Sequence, residues 1–363
     1  MRYEKVMRKE YTAGREERIA LSRLVKDGYN IIKITSGEVT YRDLTIAGAP
    51  GDEAQVHVEI EEGYKGRIIL ENCTFSGKKR PAAISIGKDC EVVLSLSGEN
   101  KLLDGGIKVD STSNLIFDGL GKLSIFVTAD EAFGIGNDMN SYHGDIVFDQ
   151  DGLIEITVNA AKSVAIGSGL GGHVSIRRGA YKLSLIGEQG VGIGSLNGDI
   201  EPLISNCYLE LKSTALSSIG IGSFTGKCDI MIEHSSVNID FLGNDVVLFG
   251  SKKSDKLSVR IYSAAFTTKA RAHDITVIGS GTAAPTSVSI DYLAFRVDIE
   301  GSQAGIFRGV DSTVKVRVSN SRFEGHVVTS LEDPMYKGEM DYSVSATKIS
   351  LDLNGITVFE DHA

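Results

Sequence analysis

Phe133-Gly-Ile-Gly136, Val164-Ala-Ile-Gly167, Val191-Gly-Ile-Gly194, Ile219-Gly-Ile-Gly222, Val247-Leu-Phe-Gly250 and Thr276-Val-Ile-Gly279 are six copies of one short phrase. Their third residues, Ile135, Ile166, Ile193, Ile221, Phe249 and Ile278, follow one another at steps of 31, 27, 28, 28 and 29 residues. A fixed period of this length means stacked copies of one supersecondary unit. Each unit divides into three strands. After Ile166 come a Gly-rich turn, His173-Val-Ser-Ile-Arg-Arg178, Gly179, and Tyr181-Lys-Leu-Ser-Leu-Ile186, with apolar and polar residues alternating as in half-buried strands. A second ladder, Tyr181, Tyr208, Val237, Phe266, Phe295 and Phe323, repeats at 27 to 29 residues.

Three short strands per unit, with no helix between them, bury every apolar face if the chain coils and each coil stacks on the last. The fold class is therefore all-β: a parallel β-helix solenoid of about 10 coils of 26–31 residues, on the order of 50 Å long at ~4.8 Å per coil. The period extends back through Ile107, Ile84, Val58 and Ile32, and forward to Ile306. Alternation predicts that Val191 and Ile193, like Ile219 and Ile221, point inward. The outer face would then be bare, made of Gly134, Gly136, Ala165, Gly167, Gly192, Gly194, Gly220 and Gly222. Such a Gly-rich face offers a loop, the chain's own tail or a second rod a place to pack, making it the predicted homo-oligomer contact.

Residues 1–30 read as an N-terminal cap. Arg15-Glu-Glu-Arg18 precedes Ile19, Leu21, Leu24 and Val25 at amphipathic helical spacing, and Gly28 is the stop signal. No uninterrupted apolar region follows Met1 to Lys5, so this start does not read as a secretory signal. The coils occupy 31–330, and residues 331–363, with Tyr342-Ser-Val-Ser-Ala346 and Ile349-Ser-Leu-Asp-Leu353, read as strands closing the far end.

The 41 glycines and the absence of Trp suit a chain of tight turns. A net charge of −10 argues against nucleic acid, which needs clustered Lys and Arg. No apolar run is long enough for membrane insertion by a spanning helix. Cys73, Cys90, Cys207 and Cys228 lack close metal spacings and read as buried thiols.

Ile69-Leu-Glu-Asn-Cys-Thr-Phe75, Leu203-Ile-Ser-Asn-Cys-Tyr-Leu209 and Val318-Ser-Asn-Ser-Arg-Phe323 resemble the strand-turn-strand repeat of the right-handed parallel β-helix superfamily that includes the pectate lyases. Ser95-Leu-Ser-Gly-Glu-Asn-Lys-Leu102, followed by Ile116-Phe-Asp-Gly-Leu-Gly-Lys-Leu123 and the Gly-Ile-Gly coils, is similar to bacterial β-helix carbohydrate-binding-domain proteins of the clostridial type. The resemblance implies a right-handed coil, a turn ladder at Asn72, Asn206 and Asn320, a polysaccharide or glycan ligand, an extracellular setting and, in some members, calcium. The residues themselves imply no cofactor and no compartment.

Polysaccharide hydrolysis needs two facing carboxylates, and a lyase needs a base beside calcium-holding carboxylates. Asp149, Asp151 and Glu155 are followed in the next coils by Arg178 and Ser205, while Asp291 and Asp298 stand alone, so no such array shows. The favoured reading is a non-catalytic carbohydrate-binding or surface and structural β-helix. The alternative is a polysaccharide lyase or hydrolase, assembled as a tail-spike-like trimer. Candidate ligand contacts are Tyr142, which can stack on a sugar, with His143, Arg177 and Arg178. Ser168, Ser195 and Ser223 belong to a row of hydroxyls, continued by Ser251 and Ser280, that can either face a sugar or bond the turn. Lys252, Lys253 and Lys256 form a small basic stretch.

Overall fold

The computed structural model of the protein describes residues 8–13, 18–36, 43–76, 82–254, 256–281, 285–308, 314–337 and 340–362. The predicted signal-free start and most of Arg15 to Arg18 lie outside these. The chain forms a parallel β-solenoid of about 11 turns, one more than the sequence period suggested. From the third coil on, each coil lays one strand on each of three stacks; the first two coils contribute strands to only two of them. The first side runs from Glu10–Ala13 and Ile31–Ile34 through the repeated phrase to Gln303–Arg308 and Tyr336–Lys337. The second runs from Arg18–Ala20 and Asp43–Ala47 to Val314–Ser319 and Met340–Ser345. The third runs from Thr74–Ser76 and Glu99–Leu103 to Arg322–Val328 and Thr347–Leu353. Among the described residues all pairings between these strands are parallel except the last, where Ile356–His362 folds back antiparallel on Thr347–Leu353. Asn354 and Gly355, both at positive φ, form its two-residue turn. This Asn-Gly signal is the usual one for a tight hairpin.

The extra coil explains the correction at the N-terminus. Among the described residues only Leu21–Lys26 is helical. Arg18–Ala20 already pairs with Thr45–Ala47, and Glu10–Ala13 with Ile31–Ile34, so Ile19 serves a strand rather than a helix. The six-residue helix has no side-chain cap and no acid in its first turn, and so lacks the usual means of extending toward its N-terminus. It buries Leu21 and Leu24 while Val25 stays exposed.

The phrase strand faces the opposite way from the prediction over its first half. Phe133, Val164, Val191, Ile219 and Val247 form an outward row, buried beneath Met139, Leu196 and Phe224 from the loops that fold back over it. Inward positions fall instead to Gly134, Gly192 and Gly220. A methyl group on them would meet core side chains of the third side, Ile156, Leu211 and Ile239, at 2.4, 3.0 and 3.4 Å. The glycines therefore make no bare outer face and leave no glycine surface for a second rod. The third residue of the phrase, from Ile135 to Ile278, does enter the core as predicted.

The chain turns its corner at the fourth residue. Gly136, Gly167, Gly194, Gly222, Gly250 and Gly279 have φ between +134 and +153°, each stacked on the next coil's carbonyl. Across the core lies an aromatic column. Phe117 stacks on Phe148 at 4.8 Å and Phe148 meets Tyr181 edge-on at 5.4 Å; further along, Phe266, Phe295 and Phe323 follow edge-on at 6.0 and 5.5 Å. Tyr181 keeps its hydroxyl satisfied by donating to the Arg178 carbonyl at 2.6 Å. Its partner in the next coil is Leu209, not Tyr208, which sits one residue earlier and points to solvent. All four cysteines are free and buried.

Candidate functional site

Between the second and third sides the chain bends in a single residue, and that residue must take a left-handed conformation. Asn72, Asn206, His234, Ser263, Tyr292, Asn320 and Ala346 all do so, at φ between +46 and +56°. From Asn206 onward they fall in register, one per coil. Gly and Asn tolerate this conformation, whereas a bulky side chain there is strained. Where the residue after the bend carries a hydroxyl, at Ser235, Ser321 and Thr347, that hydroxyl is buried and clamps the bend of the preceding coil. Cys207 N–H donates to Ser235 Oγ at 3.3 Å, Leu293 N–H to Ser321 Oγ at 3.0 Å, and Ser321 N–H to Thr347 Oγ1 at 3.3 Å. Each hydroxyl in turn donates to the carbonyl two residues back, at 2.6 to 2.8 Å. The edge is thus a rigid rail, with its outward side chains held at coil spacing.

Three successive coils place aromatic rings at this edge, His234 and Tyr292 at the bend itself and Tyr262 one residue before the bend at Ser263. His234 meets Tyr262 edge-on at 5.4 Å, and Tyr262 meets Tyr292 edge-on at 6.0 Å. Tyr262 is 46% exposed and Tyr292 54%. Polar groups frame them. Asp291 accepts from Asn320 Nδ2 at 2.8 Å and from Ser319 Oγ at 2.9 Å, and Arg260 pairs with Asp229 at 2.9 Å. Just over the edge, Asn238 Nδ2 donates to the hydroxyl of exposed Tyr208 at 3.0 Å. Flat apolar ring faces beside fixed donors and acceptors match the two kinds of surface a sugar presents.

The residues singled out in the sequence do not converge. Tyr142 is exposed in the loop after the Phe133 phrase. His143 is buried, its N–H donating to the Gly171 carbonyl at 3.0 Å and its Nδ1 2.7 Å from the Gly144 carbonyl. Burial pushes its pKa down to about 4, so it is neutral at pH 7 and turned away from any surface ligand. Arg177 is exposed at the far end of the following strand. Arg178 there is engaged with Asp149 and Asp151 at 2.5 and 2.8 Å. Ser168, Ser195 and Ser223 are 0% exposed, which withholds them from a glycan. Ser168 and Ser195 close their turns by donating to Gly171 and Gly198 carbonyls at 2.9 and 2.6 Å, and Ser223 donates to the Thr225 carbonyl at 2.7 Å. Asn72 accepts from Glu99 N–H at 3.1 Å, and Asn72, Asn206 and Asn320 lie several coils apart on the rail rather than on one another. Lys252 folds inward onto Asp245 at 2.7 Å, leaving Lys253 and Lys256 exposed.

Tyr262 and Tyr292 escaped the sequence reading because they sit beside and at the turn and belong to neither apolar ladder. Their 30-residue spacing, with His234 28 residues before Tyr262, is the signal that could have found them.

A cleft of about 680 Å³ opens on the third side, lined by Lys269, Arg296, Asp298, Glu324, His326 and Asp352 among others. Its carboxylates are already engaged: Asp298 with Arg271 at 3.0 Å, Glu324 with Arg322 at 2.8 Å, and Asp352 with His326 at 3.3 Å. Among the described residues no group of three or more His, Cys, Asp and Glu side chains is arranged to hold a metal ion, and no helix is long and apolar enough to cross a membrane. No protein-family model matches the chain, and no curated protein and no solved structure is significantly similar to it.

Proposed function

We propose that this protein is a non-catalytic glycan-binding solenoid whose ligand lies along the rail at His234, Tyr262 and Tyr292. The observation that carries the reading is Tyr292 itself. An exposed tyrosine occupies a left-handed turn where Asn or Gly would cost less. Backbone strain of this kind, of order 1–3 kcal/mol, concentrates at functional positions. Its ring continues the row begun by His234 and Tyr262, so the strained residue extends a surface rather than filling a core. A rise of about 4.8 Å per coil suits a repeating, extended ligand running along the rod.

The test is affinity electrophoresis through a panel of neutral and acidic polysaccharides, with the same mixtures assayed for new reducing or unsaturated ends. Retardation by at least one polysaccharide, without new ends, is the expected result. Loss of an edge ring should weaken retention about two- to tenfold, since an aromatic contact is worth roughly 0.5–1.5 kcal/mol. Retention by none of the panel, or release of oligosaccharides, would contradict the proposal.

A further inference from the structure

We propose that the polymer on the aromatic rail is an esterified one, carrying sulfate or phosphate groups, and that Arg317 on the second side receives one of them. That the polymer is a glycan rests on the reading above; the anion site stands on residues which that reading does not use.

The coils that carry the rail are the basic part of an acidic chain. Residues 256–328 hold nine Lys and Arg against six Asp and Glu, in a chain whose net charge is −10. Some of these cations are already matched: Arg260 with Asp229, Arg271 with Asp298 and Glu300, and Arg322 with Glu324. Among the rest, Lys269, Arg296, Lys315 and Arg317 are exposed, and none of the four makes an ion pair or a side-chain hydrogen bond with any described residue. They flank the rail on both faces, Lys315 and Arg317 on the second side, Lys269 and Arg296 on the third. Cations fixed on one part of an acidic rod attract a ligand of opposite sign to that part.

Arg317 is the best placed of them. Lys269 lies between Asp240 and Asp298 in register, and Arg296 beside Glu324, so acids stand directly across from both. Directly across from Arg317 are Ser289 and Ser343, both exposed, each one coil spacing of about 4.8 Å away. Asp291, one step diagonal, already accepts from Ser319 and Asn320. Lys315 lies two residues back on the same face, about 6.6 Å along the strand. Ser289 and Tyr292 share one strand three residues apart, so the site borders the rail. A sulfate or phosphate monoester presents three terminal oxygens, all acceptors, where a carboxylate presents two. The guanidinium fork takes two oxygens side by side, and a serine hydroxyl beside it takes the third. A carboxylate is satisfied by the fork alone and leaves both hydroxyls to water. The donor set therefore fits the tetrahedral ester better than the sugar acid.

Affinity electrophoresis through matched polymers tests this. Dextran and hydroxyethyl cellulose are each used unsubstituted, sulfated, phosphorylated and carboxymethylated, the last three to equal charge. On at least one backbone an ester form should hold the wild-type protein at least fivefold more tightly than the unsubstituted and carboxymethylated forms, and the excess should shrink as salt is raised. The ester held more tightly distinguishes sulfate from phosphate. Arg317→Ser should lose about fivefold in affinity for that ester, whereas Lys253→Ser, the same loss of charge on the first side, should keep it. Circular dichroism establishes that each variant is folded. Carboxymethylated polymers held as tightly as the esters, or equal losses in the two variants, would overturn the proposal, leaving only attraction between unlike charges. Tyr292→Asn separates the anion site from the rail. Unchanged retention of that variant contradicts the rail and leaves the anion site standing, whereas weakened retention with no preference for an ester contradicts the anion site alone. Retention by no polymer of either series overturns both.

Discussion

A methyl group on Gly222 would sit 1.7 Å from the carbonyl oxygen of Gly250, on a backbone already at φ +153°. Nothing flexible stands in the way to yield; the obstacle is the next coil's main chain. Gly222→Ala should therefore cost at least about 2 kcal/mol in denaturant unfolding. Gly28→Ala makes the control. Gly28 is also at positive φ, +77°, but has no atom within 4 Å of an added methyl, so only the conformational cost of about 1 kcal/mol applies. Equal losses at the two sites would mean the stacked carbonyl is not the constraint. His143 supplies a second residue-scale outcome. Burial holds its folded pKa near 4, below the ordinary 6.5 of the unfolded chain. As pH falls from 6.5 toward 4 the unfolded state takes up a proton that the folded state refuses, so stability drops through that window by about 3 kcal/mol and this contribution then levels off. The difference in melting behaviour between wild type and His143→Gln should show this slope. Parallel pH curves for the two proteins would count against it.

At the scale of the element, what was legible was the period, and what was not was the face. Val191 and Ile193 flank a glycine, and alternation alone assigns both to the core with the glycine outside. The actual choice depends on Leu211, a residue of another strand, which fills the space above Gly192. Volume shared across a coil leaves no trace in the pattern of one strand. The serine row was visible as a row, yet its side was again set elsewhere, by the loop carbonyls of Gly171 and Gly198 that the hydroxyls reach. The slip from Leu209 to Tyr208 has a simpler cause, since both are apolar and the true step from Tyr181 is one residue longer. The cysteines follow the core reading. Burial raises the thiol pKa of Cys73 and Cys228 to about 12 and of Cys207 to about 11, and raises that of Cys90 as well. A thiol-labelling reagent at pH 7 should accordingly leave the native protein nearly unmodified and label four sites after denaturation. Rapid labelling of the native chain would contradict the buried turn geometry.

For the whole molecule, a rod whose coils touch only their neighbours draws stability from repetition, and this frees its outward residues for recognition. The rail shows that division. Its backbone conformation recurs from coil to coil, with inward hydroxyls at Ser235, Ser321 and Thr347, while the outward residue changes from Asn to His to Ser to Tyr. The Asn positions were reached through the resemblance, and their left-handed turns are ones Asn favours, whereas nothing marked the aromatic ones, because tyrosine does not favour such turns. The most direct measurement is the affinity of Tyr292→Asn for whichever polysaccharide retains the wild type, taken together with its unfolding free energy. Asparagine relieves the strained turn and removes the ring, so stability should equal the wild type or lie up to about 1 kcal/mol higher, and binding should weaken about two- to tenfold. Binding that survives the substitution unchanged would place the ligand elsewhere and contradict it.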